Sequence, residues 1–103
     1  LDPVIHPLVR RHPVTKKPSL FLSPHTMVKI VDYDYDKGRK LLERLIEHSI
    51  QPKYVYEHIW NNDDIIMWDN RCTMHSVKPF NNNIIKRIMH RVTLVGDKEP
   101  VMA

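Results

Sequence analysis

The stretch WDNRCTMH, residues 68–75, places an acid, an amide, a guanidinium, a thiol and an imidazole within eight positions, directly behind the apolar run Ile65, Ile66 and Met67. A strand that only fills a core has no need of so many polar groups. His75 has two readings. It can be a structural histidine bonded to a backbone carbonyl, or a metal ligand, a role in which neutral imidazole is the commonest side chain. One histidine does not make a site, so its neighbours must decide. Cys72 could be a nucleophile, but no His/Asn pattern surrounds it, and a small buried thiol is the expected role. Further along, KRIMHRV puts Arg87, Met89 and Arg91 on one face of an expected strand and Ile88, His90 and Val92 on the other. At the rise of an extended chain the two arginines stand roughly 13 Å apart, too far to grip one small carboxylate. If their face is interior, two guanidiniums need two anions, because an unpaired buried charge is too costly. If it is exterior they are merely hydrated, and spacing alone leaves both readings open. The guanidinium fork itself suits planar carboxylates and sulfonate-like groups.

The remaining polar positions carry weaker signals. The seven histidines have no zinc-site spacing, with neither a CxxC nor an HExxH. His6–Pro7 and His12–Pro13 read as loop bends. Trp60 and Trp68 read as core or pocket wall. The only glycines are Gly38 and Gly96, so no Gly-rich phosphate loop exists.

The elements that must hold these groups follow from periodicity and from proline. Pro3, Pro7, Pro13 and Pro18 exclude a long helix over the first 18 residues and leave room for short extended pieces such as Leu8 to Arg11. SLFL (19–22) reads as a short strand, SPHT (23–26) as a turn or loop, and MVKIV (27–31) as a second strand or an extended passage. The stretch from Asp32 to Pro52 is the one convincing helix. Asp34 or Asp36 can cap its start, and Leu41, Leu42, Leu45, Ile46 and Ser49/Ile50 form its apolar stripe. Lys37, Arg39, Lys40, Glu43, Arg44 and Glu47 cover the wet face, and Pro52 stops the helix. Beyond it, 54–60 alternates with Tyr54, Tyr56, His58 and Trp60 on one face. Residues 61–64 form a turn, 65–68 and 72–77 are strands, 78–83 is a loop, and 84–95 is a long strand ended by Gly96–Asp97. Several antiparallel strands with one helix make the chain mainly β, of the α+β class.

A chain of 103 residues, 42% hydrophobic and 27% charged, supports one globular domain. No apolar run reaches the roughly 18 residues of a membrane span. The net charge is +4, but the basic residues are scattered, so a hydrated surface is expected and no nucleic-acid partner. A single cysteine fits a reducing, cytoplasmic compartment.

Taken together, WDNRCTMH and KRIMHRVTLVGD resemble the C-terminal part of the taurine dioxygenase and 2,4-dichlorophenoxyacetate dioxygenase (TauD/TfdA) family. The resemblance continues upstream through HPLVRRHPVTKKPSLFL and YVYEHIWNNDDIIMWDN. It implies residues 1–103 as the C-terminal portion of a single double-stranded β-helix (jelly-roll) domain. The family's enzymes are non-haem Fe(II), 2-oxoglutarate-dependent oxygenases that consume O2. His75 matches the distal histidine of the iron-binding 2-His-1-carboxylate set. Arg87 matches the arginine that pairs with the far carboxylate of 2-oxoglutarate, and Arg91 the arginine that faces the substrate's anionic group, which would make their face interior. Trp68, Asp69 and Asn70 match strand-end support. His25, within SPHT, lies where the family shapes its substrate pocket and looks more like the phenoxyacetate-type members than the taurine type.

The chain departs from the family pattern in one respect. The first two iron ligands come as His-x-Asp, and no H-x-[DE] occurs here; the upstream threonine region that helps hold 2-oxoglutarate is also missing. The expectation is therefore an enzyme acting on a small anionic substrate as the full-length protein, with this portion inactive alone and partnered by the remainder of the dioxygenase chain. A homo-oligomer is compatible with this. The alternative is a non-catalytic remnant or binding module that has lost the iron.

Overall fold

The computed structural model describes residues 3–78, 89–96 and 101–102. Strand β1 (Val9–Arg11) is central in a small sheet, with β2 (Pro18–Leu20) on one side and β3 (Val101–Met102) on the other, both antiparallel to it. Val9 pairs with Leu20 and Arg11 with Pro18, while Arg10 faces Met102 across the other edge. Prolines confine this part of the chain to short extended pieces, and Pro18 sits at the first position of its strand, where it is tolerated in a sheet. The β1–β2 connection closes with Lys16 N–H on the His12 carbonyl and His12 N–H on the Lys17 carbonyl, both 2.9 Å. Lys16 takes the left-handed conformation at φ 63° that this reversal requires.

Helix α1 (Tyr35–Ser49) forms where the apolar stripe places it. Asp34 is its N-cap and accepts from Lys37 N–H at 2.9 Å. Leu42 is buried, Leu41, Leu45 and Ile46 are half-buried, and Ile50 is exposed. The helix ends before Pro52, which opens a single 3-10 turn, Pro52–Tyr54. Arg39 departs from the expected wet face. It is half-buried and donates from Nη1 to the carbonyls of Met27 and Val28, at 3.2 and 3.0 Å. Gly38 is buried beside it, where a Cβ would lie 3.3 Å from Tyr33 Cδ1 and 3.6 Å from Ile30 Cβ. Segment 27–30 is thus a strap held on the helix rather than a strand, and 31–33 turn into the helix start.

Segments 54–60, 65–68 and 72–77 form no strands, although their patterning is that of strands. Among the described residues they have no neighbouring strand with which to exchange hydrogen bonds. Their apolar side chains stand in solvent: Ile65 is 94% and Met67 91% exposed. Only Leu22 and Leu42 are buried hydrophobics among the described residues. The expected strand 84–95 is described only from Met89 onward, and there it is exposed and carries no strand. One helix and a small antiparallel sheet agree with a mixed α and β content, but among the described residues the helix outweighs the strands, so the mainly β expectation is not met there. No helix among the described residues is long and apolar enough to cross a membrane.

Candidate functional site

Asp69 is the hub of the WDNR stretch. Its backbone carbonyl accepts from Cys72 N–H at 3.3 Å and from the Thr73 hydroxyl, which closes a turn over 69–72. Its carboxylate takes the Arg71 guanidinium as a two-pronged fork, Nε on Oδ1 and Nη2 on Oδ2, both at 2.9 Å, while Arg71 N–H also donates to Oδ1 at 2.9 Å. A fork of this kind is the strong, orientation-specific form of the pair. Oδ2 is shared with His12 Nε2 at 2.8 Å. The Arg71 side chain first, and His12 second, hold the Asp69 carboxyl well below the usual carboxylate range.

His12 is the only buried polar side chain among the described residues. Its Nδ1 accepts the backbone N–H groups of Val14 and Thr15 at 3.1 and 3.2 Å. Two donors at Nδ1 require a lone pair there, so the ring proton sits on Nε2 and points at Asp69. The reading of His12–Pro13 as a loop bend is correct as far as it goes. It missed the bond to Asp69 because the partner is 57 residues away, and no local signal marks such a contact.

Cys72 is exposed, which corrects the expectation of a buried thiol. What cover its sulfur has pushes the thiol upward, and the Asp69 charge adds to this against an opposing pull from Arg71, which disfavours the reactive thiolate. His12, Asp69 and Cys72 bring ligand-capable atoms within 4.8 Å of one another. Both Asp69 oxygens are already engaged by Arg71 and His12, however, and the 2.8 Å contact is that of a hydrogen-bonded pair.

His75 follows the turn and is exposed. Its ring lies 4.7 Å, centroid to centroid, from that of Trp68 at an angle of 44°. Trp68 is oriented in turn by Nε1–H donating to Asn70 Oδ1 at 2.8 Å. Trp68, expected as core or pocket wall, is 40% exposed, and its ring lies against His75. Among the described residues the His75 ring nitrogens have no hydrogen-bond partner, and no second carboxylate or imidazole stands with His75 to form a ligand set. His25 is exposed in the turn closed by Thr26 and Met27 N–H on the Ser23 carbonyl. Arg91 is exposed, not interior: segment 89–96 carries no second layer among the described residues. Arg87 lies outside the described residues. No hydrogen bond, ion pair or ring contact joins His75, His25 and Arg91 among the described residues.

A second polar cluster organises the 61–64 turn. Asp64 Oδ2 accepts from Asn61 N–H at 2.9 Å and pairs with His58 Nε2 at 3.1 Å. The ring of His58 meets Trp60 edge-on at 4.8 Å. Tyr56, His58 and Trp60 do share a face, as their alternation predicts, although no strand forms.

The described residues form one helix and a small antiparallel sheet, with an exposed histidine behind a carboxylate-closed turn. Comparison with known proteins gives the particular family. The Taurine catabolism dioxygenase TauD, TfdA family matches residues 2–93, and the chain belongs to it. It is 38% identical, over 93% of its length and 32% of the relative's, to an alpha-ketoglutarate-dependent 2,4-dichlorophenoxyacetate dioxygenase of Burkholderia sp. (strain RASC). It is 36% identical to an (S)-phenoxypropionate/alpha-ketoglutarate-dioxygenase of Sphingobium herbicidovorans, over 90% of the chain and 32% of the relative. A pentalenolactone F synthase of Streptomyces arenae is 34% identical over 90% of the chain and 31% of the relative. The chain thus spans about a third of the length of these curated relatives. No solved structure matches it.

Proposed function

We propose that the protein to which these residues belong is an Fe(II)- and 2-oxoglutarate-dependent dioxygenase that hydroxylates a small anionic substrate. Residues 1–103 would form the C-terminal portion of its single jelly-roll domain. The observation that carries this reading is His75: an exposed imidazole with free ring nitrogens, backed by Trp68, in a chain of the TauD/TfdA family. A neutral, uncommitted imidazole fits one position of an iron site. The other two ligands have no counterpart in these 103 residues, which contain no H-x-[DE]. The bound iron would supply the oxidative chemistry with O2 and 2-oxoglutarate.

In this reading the chain's own side chains bind and orient. His75 gives one nitrogen to the metal. Arg87 pairs with the far carboxylate of 2-oxoglutarate, and Arg91 receives the anionic group of the substrate. His25 lines the substrate's side of the pocket. The relatives named for phenoxyacetate and phenoxypropionate favour an aryloxy carboxylate over a sulfonate. The other reading is a remnant without iron, in which this portion alone turns nothing over.

The test is Fe(II) binding and 2-oxoglutarate decarboxylation by the complete protein and its His75→Ala variant. Wild-type turnover that the substitution abolishes, with the thermal midpoint kept, is expected. A wild-type protein that binds no Fe(II) refutes the enzyme and leaves the remnant. A His75→Ala variant with full turnover refutes the assignment of the ligand.

A further inference from the structure

We propose that His12 is a positioning residue for His75, acting through Asp69 and Trp68. The iron-binding part of this inference rests on the function proposed above; the structural part does not. A buried imidazole is costly unless both ring nitrogens are satisfied. At His12 they are, by three bonds directed to two different places. Nδ1 closes the local bend at Val14 and Thr15. Nε2–H spans 57 residues to Asp69.

The WDNR turn would keep its shape without His12, because the Arg71 fork and the Asp69 carbonyl bonds are all local. Local bonds leave a turn free to swing as a unit. The bond from His12 ties it to the β1–β2 connection and so fixes where it sits. Trp68 precedes Asp69 and is braced on Asn70, inside the same turn, and the His75 ring lies against Trp68. Moving the turn moves Trp68, and with it the surface on which His75 rests. Groups that orient a metal ligand without touching the metal typically change metal affinity about 10- to 100-fold when removed.

Two substitutions separate this role from simple capping of a bend. In His12→Asn the side-chain oxygen can still accept from Val14 and Thr15 N–H, as Asn does in turns, but it is too short to reach Asp69. In Asp69→Asn the amide oxygen can still accept from Arg71 N–H and Nε–H, while the amide nitrogen cannot accept from His12, so that bond is lost from its other end. Two readouts are taken on the complete protein. One is the proton chemical shifts of the His75 ring without metal, which the Trp68 ring current displaces. The other is Fe(II) affinity under anaerobic conditions.

In His12→Asn the His75 shifts should move toward those of a Trp68→Phe control, and Fe(II) affinity should fall about tenfold or more. Should that variant fail to fold, Asp69→Asn decides on the same readouts. A folded variant with a lowered thermal midpoint but unchanged His75 shifts overturns the proposal and leaves His12 as a bend cap only. If the wild-type protein binds no Fe(II), the proposed function fails, and the His75 shifts still decide whether His12 positions the ring.

Discussion

Asp69 accepts from Arg71 and His12, and this has a consequence in acid. A carboxyl whose folded-state value is depressed binds fewer protons than it does unfolded, so stability rises with pH across the ordinary carboxylate range, around pH 4. The contribution of Asp69 is therefore complete above that range and is lost as pH falls toward its depressed folded value. Asp69→Asn should destabilise the complete protein at pH 7, and the gap to wild type should narrow steadily below about pH 4. Urea midpoints measured across that range check this; a gap independent of pH would mean that Arg71 and His12 do not favour the charged form. The two arginines make a separate prediction, which rests on the proposed function. On an extended strand they would stand roughly 13 Å apart, and in that reading they serve two anions. Arg87→Ala should weaken 2-oxoglutarate and Arg91→Ala the prime substrate, each by about 1.5–3 kcal/mol, or about ten- to a hundredfold. Steady-state constants for both ligands in both variants are the measurement. Crossed or absent defects would remove the assignment.

Among the elements, α1 is the one whose position the sequence marks most clearly. Asp34 caps it, the leucine stripe turns toward the chain, and Arg39 binds the 27–28 carbonyls. Gly38 is the exception within it, since glycine in a helix interior costs about 1 kcal/mol relative to alanine. The tightest contact for an added methyl is Tyr33 Cδ1 at 3.3 Å, and Tyr33 is half exposed, so its ring can yield by a few tenths of an ångström. The propensity gain then outweighs the contact. Gly38→Ala should stabilise the protein by about 0.5 kcal/mol, read as a raised thermal midpoint. A lowered midpoint would show that Tyr33 and Ile30 are held too firmly to move, and that the strap on α1 is more rigid than its exposure suggests.

At the scale of the molecule the accessible surface is 10004 Å², against about 6,100 Å² expected for a compact monomer of this mass. The radius of gyration is 16.4 Å, where about 13 Å is expected for this length. The excess is apolar as well as polar: Ile65, Met67, Val92, Leu94 and Val95 are each more than four-fifths exposed. Exposed apolar surface on this scale demands a covering layer. Residues 1–103 expressed alone should therefore self-associate and bind a hydrophobic dye, whereas the complete protein should do neither. Size-exclusion chromatography and dye fluorescence compare the two. A dye-silent monomer of residues 1–103 would show that the exposed segments find cover among themselves.

Local chemistry made the helix legible in the sequence. Its apolar spacing, the capping Asp34 and the terminating Pro52 lie within one stretch, and α1 follows from them. The prolines likewise confined the first residues to short extended pieces, and β1 and β2 are such pieces. The paired motifs WDNRCTMH and KRIMHRV were enough to indicate the family. What the sequence could not decide depended on partners distant along the chain. Periodicity marks a segment as able to become a strand, but a strand exists only when a second one lies beside it, and 65–68 and 72–77 have none among the described residues. His12 read as a bend until the tertiary structure set it 2.8 Å from Asp69. Arg39 read as wet until the strap crossed its helix. In each case the deciding energy came from a hydrogen bond or a covering surface supplied by a remote segment, and only the folded chain determines which remote segment that is.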